Sequence, residues 1–295
     1  MRPFSASLLR NTNRYFSTIN PNRVKVEHLD KGIAVVTLNR PKKKNALDMD
    51  MFYSIVDAGQ KLKDDLSVRA VILQGEGSAF SAGLDVKSVL QNPLNGKALL
   101  ERPEGKLVNM AQEVAWVWRT LPVPVIACTH GVCLGGGFQI ALGADFRFTT
   151  PDCKFSILEA KWGLIPDMSA SVMLRELTTI DIVKELTMTA RIFDGSKALE
   201  YGLVSHVVND PYTEAMELAK EIITRSPDCV SASKELYNNS WNLNEKDALI
   251  METELQKHLL VPPLKNTMAA ASIGLNSPIQ LSFKERQSLW KGSPE

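Results

Sequence analysis

Hydrophobic and polar positions along the chain follow two patterns, one typical of strands and one typical of helices. A two-residue period, or a short apolar run bounded by glycine or proline, predicts a β-strand because strand side chains alternate between two faces. The strands that these patterns predict are residues 24–29, 33–38, 68–73, 124–128 and 146–149. A short turn that contains Gly32 separates the first two, so they predict a β-hairpin.

Apolar side chains at helical spacing predict helices between and after these strands. The predicted helices are residues 49–62, 138–143, 213–225, 229–238 and 245–260. Strands that alternate with helices indicate an α/β layered fold. Residues 93–107 contain Pro93, Gly96, Pro103 and Gly105, so they are predicted to form a loop or a mobile segment.

The patterns divide the chain into three parts, which are residues 1–22, 23–209 and 210–295. The middle part carries the strands and is the predicted α/β core. The last part is helical and has few apolar positions for a core of its own. We therefore expect it to pack on the middle part or on another subunit.

The N-terminal part has the composition of a mitochondrial transit peptide. It contains Arg2, Arg10 and Arg14 with several serine, threonine and asparagine residues, and the first acidic residue is Glu27. Basic, hydroxyl-rich and acid-poor segments direct proteins to mitochondria. Residues 14–17 resemble a matrix-processing site, which predicts cleavage before Ser17 and a location in the mitochondrial matrix. A disordered tail is the alternative.

Charge and hydropathy exclude several functional classes. The formal charge of +1 gives no electrostatic basis for binding nucleic acid or an anionic membrane surface. No apolar run approaches the roughly 20 residues that span a bilayer. The four cysteines have neither metal-site nor disulfide spacing, which favours a reduced compartment. The four histidines are scattered, so a metal site is not expected.

A glycine cluster at residues 131–137 is the strongest local signal for chemistry. It ends in a triple glycine between a predicted strand and a predicted helix, where the backbone can approach a ligand closely. Amides at a helix start also suit a developing oxyanion. No Gly-Lys-Ser/Thr or GxGxxG pattern supports a phosphate loop. A turn that needs glycine only for its dihedral angles is the alternative.

Two further segments are candidates. Residues 80–86 follow a strand and can present the amide of Leu84, so that two loops together form an oxyanion hole; an ordinary turn is the alternative. Glu159 and Asp167 have largely apolar neighbours, which would raise the pKa of both carboxyls and suit them to acid–base catalysis. Solvated loop carboxylates are the alternative. Gln139, alone, is a polar residue near a helix start.

Taken in order, these motifs resemble the crotonase (enoyl-CoA hydratase/isomerase) superfamily over nearly all of residues 24–260. The matching segments are residues 39–41, 45–47, 80–85, 131–137 and 198–204, with Asp145 and Pro166. The resemblance implies a spiral of ββα turns with a C-terminal helical region that trimerises, as a homotrimer or a dimer of trimers. It also implies an acyl-CoA thioester substrate and no separate cofactor.

The resemblance assigns roles to individual residues. The backbone amides of Leu84 and Gly136 are expected to hold the thioester carbonyl, and Glu159 and Asp167 to move protons. Other residues expected to line the site are Gln139, Ala82 and Asp85, with Lys42, Lys43 and Lys44 near the CoA phosphates. A solvated basic loop is the alternative for the three lysines.

Departures from the superfamily pattern bear on the reaction. Hydratases carry one glutamate at the position of Gln139 and another at that of Glu159, and glutamine cannot exchange a proton. Dienoyl-CoA isomerases carry an aspartate where Asp167 stands, although their third acid, at position 139, is missing here. Monofunctional enoyl-CoA isomerases keep their single glutamate at position 159. The resemblance therefore favours a mitochondrial enoyl-CoA isomerase, preferably dienoyl-type, in unsaturated fatty acid oxidation. The alternatives are a hydratase, another crotonase reaction, or an acyl-CoA-binding member with diluted chemistry.

Overall fold

The fold is organised around a six-stranded sheet, seen in a computed structural model that describes residues 23–261 and 264–287. The strands are β1 (Val24–His28), β2 (Ile33–Leu38), β3 (Ala70–Gly75), β4 (Val125–Thr129), β5 (Val132–Leu134), β6 (Phe146–Thr149), β7 (Lys154–Ser156) and β8 (His206–Val207). The strand order in the large sheet is β1-β2-β3-β4-β6-β8, and β5 pairs with β7 in a small second sheet. The predicted transit segment lies outside the described residues.

The predicted hairpin is confirmed, since β1 and β2 pair antiparallel with Val24 opposite Leu38. All other pairs in both sheets are parallel. The carboxyl ends of parallel strands share one edge, and ligands of open α/β sheets bind there. The segments that follow β3 and β4 at this edge are residues 76–86 and 130–137, which contain both predicted oxyanion loops.

The helices follow the strands and enclose them. They are α1 (Met49–Asp64), α2 (Val86–Leu90), α3 (Pro93–Leu100), α4 (Met110–Thr120), α5 (Gly136–Leu142), α6 (Ala170–Leu177), α7 (Ile180–Thr189), α8 (Gly195–Glu200), α9 (Pro211–Ile222), α10 (Pro227–Ser240), α11 (Glu245–Leu260) and α12 (Lys265–Gly274). The predicted α/β core with C-terminal helices is therefore confirmed. Within the described residues, none of the helices is long and apolar enough to cross a membrane.

Residues 93–107 depart from the prediction. A loop was expected, but Pro93–Leu100 form α3, so the prediction is wrong for these residues. The side chain of Asn92 caps the helix by accepting a hydrogen bond from the amide of Leu94 at 3.0 Å. Pro93 occupies the first helical turn, where an amide proton has no partner within the helix, so proline starts this helix instead of breaking it.

The central strands are apolar on both faces because helices cover both. On one face, α1, α4 and α5 enclose a core that contains Phe52, Trp118 and Phe138. On the other face, Ala215 and Ala219 of α9 pack on β3, β4 and β6. The boundary between residues 209 and 210 stays a prediction, but the first C-terminal helix packs on the sheet.

A buried ion pair fastens the next C-terminal helix to the core. The ammonium of Lys234 on α10 lies 2.7 Å from the Asp145 carboxylate. It also donates to the carbonyl oxygens of Trp118 at 2.9 Å and Val123 at 3.0 Å. Asp145 in turn accepts a hydrogen bond from the amide of Val125, the first residue of β4. Asp145, a residue on which the crotonase resemblance rests, thus has a structural role, since it links α10 to the start of β4.

Candidate active site

Two glycine-containing loops meet at the carboxyl edge of the sheet. Gly83 has φ of +83° and Gly135 has φ of +50°, so both lie in the region that other residues rarely adopt. A Cβ atom on Gly83 would lie 2.6 Å from the carbonyl oxygen of Leu134 and 3.5 Å from the amide nitrogen of Gly136. The two predicted oxyanion loops are therefore in direct contact, and only glycine permits that contact.

Hydrogen bonds occupy the amides on either side of Leu84. The amide of Gly83 donates to the hydroxyl of Ser81 at 3.2 Å, and that of Asp85 donates to the carbonyl of Leu47 at 2.9 Å. Within the part of the chain that the structure describes, the Leu84 amide itself has no hydrogen-bond acceptor. A ligand oxygen would supply one.

Gly136 stands at the first turn of α5. The preceding residue, Gly135, has no side chain to cap the helix, and its own amide donates to the carbonyl of Ser156 at 2.9 Å. First-turn amides have no partner within a helix, and the helix dipole adds partial positive charge there. The Gly136 amide is thus a first-turn donor close to the first loop, and the site suits a carbonyl oxygen that gains negative charge.

Glu159 borders the triple glycine. It opens a short 3-10 helix, Glu159–Trp162, shortly after β7. Its Oε1 atom accepts a hydrogen bond from Nε2 of Gln139 at 2.6 Å and lies 3.4 Å from the position of a Cβ on Gly135. Its Oε2 atom is buried without a hydrogen-bond partner among the described residues. Such an atom needs a partner from outside the chain, or a proton.

Asp167 lies next to the same group of side chains. The amide of Met168, the following residue, donates to Oε1 of Gln139 at 2.8 Å. Gln139 therefore connects Glu159 at one end of its side chain to the Asp167 segment at the other. The structure thus brings the two predicted carboxylates into one site, with Glu159 half-buried and Asp167 more exposed.

The environment raises the pKa of both carboxyls, in the direction that the sequence predicts. Burial raises the pKa of Glu159, hydrogen bonds from its own backbone amide and from Gln139 partly oppose the rise, and the negative charge of Asp167 adds to it. Partial burial of its carboxyl group also raises the pKa of Asp167. Groups that titrate closer to neutrality exchange protons with carbon acids more readily at physiological pH.

Asp85 makes structural hydrogen bonds that the sequence did not indicate. Its Oδ2 atom accepts from Arg40 at 2.8 Å, and its Oδ1 atom accepts from the amide of Ser88 at 3.2 Å, which caps α2. Burial alone would raise the pKa of Asp85, but these hydrogen bonds and the charges of Arg40 and Lys43 hold it below its usual value. Asp85 is an ionised support for the first oxyanion loop.

The lysine triplet adjoins that loop. Lys42, Lys43 and Lys44 are all exposed. The carbonyl of Lys44 accepts from the amide of half-buried Ala82 at 2.8 Å, which joins the lysine segment to the loop that carries Leu84. The exposed lysines could bind an anionic group beside this loop. Their assignment to the CoA phosphates stays a prediction.

Sequence reasoning assigned no role to Arg40 or to Asn45, although both lie in segments on which the resemblance rests. Arg40 contacts Asp85 and, at 3.3 Å, Asp48. Buried Asn45 donates to the carbonyls of Glu76 and Ala79 and accepts from the amide of Arg40. An Asn-Arg-Pro turn followed by a buried asparagine was the signal, but the partners in the oxyanion loop, Glu76, Ala79 and Asp85, lie more than thirty residues away. Among the described residues, no cluster of acidic, histidine and cysteine side chains fits a metal ion.

Comparisons with known proteins agree with this geometry. A family model described as Enoyl-CoA hydratase/isomerase matches residues 28–267. The chain is 34% identical over 236 residues to the mitochondrial Delta(3,5)-Delta(2,4)-dienoyl-CoA isomerase of Rattus norvegicus, with 77% of this chain and 72% of the relative covered. It is 31% identical over 242 residues to the mitochondrial methylglutaconyl-CoA hydratase of Mus musculus, with 78% and 74% covered.

Solved structures give the same fold. The enoyl-CoA hydratase from Bacillus anthracis superposes with a TM-score of 0.79 at 25% identity, covering 88% of this chain and 98% of that one. A structure described as a putative enoyl-CoA hydratase from Streptomyces coelicolor superposes with a TM-score of 0.77 at 27% identity, covering 96% and 100%.

Proposed function

The chain belongs to the enoyl-CoA hydratase/isomerase family, and we propose that it shifts a double bond in an enoyl-CoA thioester. The reaction is that of a dienoyl-CoA or 3-enoyl-CoA isomerase, with the dienoyl type preferred. The observation that carries the proposal is the contact of Glu159 with Gln139, an amide that cannot ionise, in a site where Asp167 is the second acid.

The oxyanion hole makes the first step possible. The thioester carbonyl accepts hydrogen bonds from the amides of Leu84 and Gly136, which stabilise the enolate formed when an adjacent carbon loses a proton. A donor of this kind contributes about 3–4 kcal/mol to lowering the barrier. Both donors belong to the backbone and are held by neighbouring hydrogen bonds, so they need little reorganisation during the reaction.

The two carboxylates then divide the proton work. Glu159 takes a proton from carbon 2, and the electron pair delocalises into the carbonyl held in the oxyanion hole. For a 3-enoyl substrate, the protonated Glu159 returns the proton at carbon 4. For a 3,5-dienoyl substrate, the proton returns at carbon 6, four bonds from carbon 2. Asp167, on a separate segment close to Glu159, starts protonated and donates its proton at that distant carbon. Transfer of the proton from Glu159 to Asp167 then returns both carboxyls to their starting states.

Hydration is the second candidate, because a relative of similar identity is a methylglutaconyl-CoA hydratase. In that reaction Glu159 and Asp167 would hold and activate water. The paired ionisable groups of the superfamily's hydratases are incomplete here, since position 139 holds an amide. A member that only binds acyl-CoA is the third candidate.

Cellular location and assembly complete the proposal. The names of two relatives place those proteins in mitochondria, and the N-terminal composition agrees with import into the matrix. A homotrimer or a dimer of trimers would cover apolar side chains such as Leu249 and Ile250, which are exposed on α11 of the single chain. Light scattering after size-exclusion chromatography measures the assembly.

Product analysis tests the reaction. The purified protein is incubated separately with 2-enoyl-CoA, 3-enoyl-CoA and 3,5-dienoyl-CoA, and the products are identified by mass spectrometry and ultraviolet absorption. A conjugated 2,4-dienoyl or 2-enoyl product without a mass change supports the isomerase. A gain of one water supports the hydratase, and binding without any product supports the third candidate.

A further inference from the structure

Gln139 is buried at 1% exposure, and both ends of its amide are engaged. Its oxygen accepts the amide proton of Met168 at 2.8 Å, and its nitrogen donates to Oε1 of Glu159 at 2.6 Å. The orientation of the side-chain amide follows from the chemistry of these partners. A backbone N–H can only donate, so the oxygen of Gln139 must face Met168 and the NH₂ group must face Glu159.

This orientation treats the two oxygens of Glu159 differently. Oε1 is held by Gln139, whereas Oε2 is buried and has no partner within the described residues. An oxygen that already accepts a short hydrogen bond is the weaker base of the two. The unpartnered oxygen is therefore the one ready to receive a proton from a substrate carbon.

We infer that Gln139 is a positioning residue, which holds Oε1 of Glu159 and thereby assigns proton transfer to Oε2. The inference rests on the proposed function, since it names how the base of that reaction is presented. Because Gln139 also binds the amide that follows Asp167, it fixes the segment of the second acid relative to the first. Without the Gln139 side chain, the Glu159 carboxylate and the Asp167 segment would both be held less firmly.

The choice of an amide at this position has an electrostatic consequence. A glutamate at position 139 would place a second ionisable carboxyl within hydrogen-bonding distance of Glu159, and two such carboxyls share one proton. Glutamine keeps the contact and adds no charge, so Glu159 ionises as a single base. Asp167 is the charged group that faces Glu159 from another segment, and it acts against ionisation. The hydrogen bond from Gln139 acts in favour of it.

A pair of glutamine variants tests the inference. Gln139→Met removes both hydrogen bonds and keeps a side chain of similar length. Gln112→Met is the matched control, because Oε1 of Gln112 also accepts a backbone amide proton, from Asn109 at 3.0 Å, but contacts neither carboxylate. The measurement is kcat/KM with 3-enoyl-CoA as a function of pH.

We expect Gln139→Met to lower kcat/KM about tenfold or more at neutral pH and to move the acidic limb of the profile upward by about one pH unit. The direction follows because the ionised form of Glu159 loses a stabilising donor. Gln112→Met should leave the limb where it is in the unmodified protein. A loss of activity that is the same at every pH, with an unmoved limb, would reduce Gln139 to a packing residue and overturn the inference.

A second measurement keeps this inference separate from the proposed function. In protein labelled with [δ-¹³C]glutamate, the signal of Glu159 is assigned by its disappearance in Glu159→Gln and is then titrated by NMR. The midpoint should be higher in Gln139→Met than in the unmodified protein, and equal midpoints contradict the inference. If the unmodified protein shifts no double bond, the proposed function fails, whereas this titration, which needs no turnover, still decides the role of Gln139.

Discussion

The guanidinium of Arg40 lies 2.8 Å from the carboxylate of Asp85 and so fastens the segment after β2 to the loop that carries Leu84. Arg40 also contacts Asp48, the N-cap of α1, at 3.3 Å. The loop that carries Leu84 is thus supported by a network of ion pairs with little solvent exposure. Its amides keep their direction because the backbone on both sides is held.

Arg40→Met should lower the free energy of unfolding by about 1–3 kcal/mol, because two partly buried carboxylates lose a charged partner. Arg191→Met is the matched control, since Arg191 pairs with Glu185 on the exposed surface and such pairs contribute about 1 kcal/mol or less. Urea denaturation of both variants measures the difference. Equal effects of the two substitutions would show that the Arg40 network is not a support.

The same pair predicts a dependence of stability on pH. The pKa of Asp85 is held below its usual value in the folded chain, so its contribution to stability is present above the unfolded pKa of about 4 and is lost as pH falls through the folded pKa. Asp85→Asn should therefore destabilise the protein at pH 7 and do so less at pH 3. Thermal unfolding at the two pH values measures this, and a deficit as large at pH 3 would contradict it.

The oxyanion hole is tested at Gly136. A Cβ added there would meet Sδ of Met168 at 2.7 Å and Cδ1 of Leu47 at 3.0 Å, so any substitution disturbs packing. Gly136→Ala adds the Cβ and keeps the N–H, whereas Gly136→Pro adds a Cβ and removes the N–H. We expect the proline variant to be about 10²-fold slower than the alanine variant in kcat. Circular dichroism checks that both variants are folded. Similar turnover in the two would show that the Gly136 amide is not part of the oxyanion hole.

Much of the architecture could be predicted because local pattern and final environment agree. Strand β6 and helix α11 have the predicted bounds, and the hairpin of β1 and β2 was indicated by its alternation and its glycine turn. Helix α5 begins two residues before the prediction, at Gly136, because glycine has low helix propensity and conceals a first turn. Helix α3 was missed because Pro93 was interpreted as a breaker.

The site itself was only partly predictable. Apolar neighbours in sequence indicated that Glu159 and Asp167 would have raised pKa values, and both do. The role of Gln139 depends on two hydrogen bonds to residues twenty or more positions away, and no local pattern contains that information. Arg40 was overlooked for the same reason.

The buried carboxyl of Glu159, which we assign to catalysis, should lower the free energy of unfolding near neutral pH. Because burial raises its pKa in the folded chain, the protein loses stability as pH rises from the unfolded to the folded pKa of this group, where it must ionise while buried. Glu159→Gln removes that penalty. We expect this inactive variant to melt about 2–4 °C higher than the unmodified protein at pH 7, and at an equal temperature near pH 4. A lower melting temperature at pH 7 would mean that the Glu159 carboxylate stabilises the fold.

The last prediction separates isomerisation from hydration. Glu159→Gln should nearly abolish every double-bond shift, because Glu159 is the one carboxylate among the described residues with a buried oxygen that has no hydrogen-bond partner. Asp167→Asn should abolish the 3,5-dienoyl reaction, whose proton returns far from carbon 2, and spare the 3-enoyl reaction. Gln139→Glu should raise the pKa of Glu159, move the acidic limb upward, and introduce some hydration of 2-enoyl-CoA, because a paired acid then becomes available to water. Each variant is assayed with all three substrates and its products identified. Rapid formation of 3-hydroxyacyl-CoA by the unmodified protein, with no double-bond shift, would overturn the isomerase, because an amide at position 139 would then be sufficient to hold water for attack.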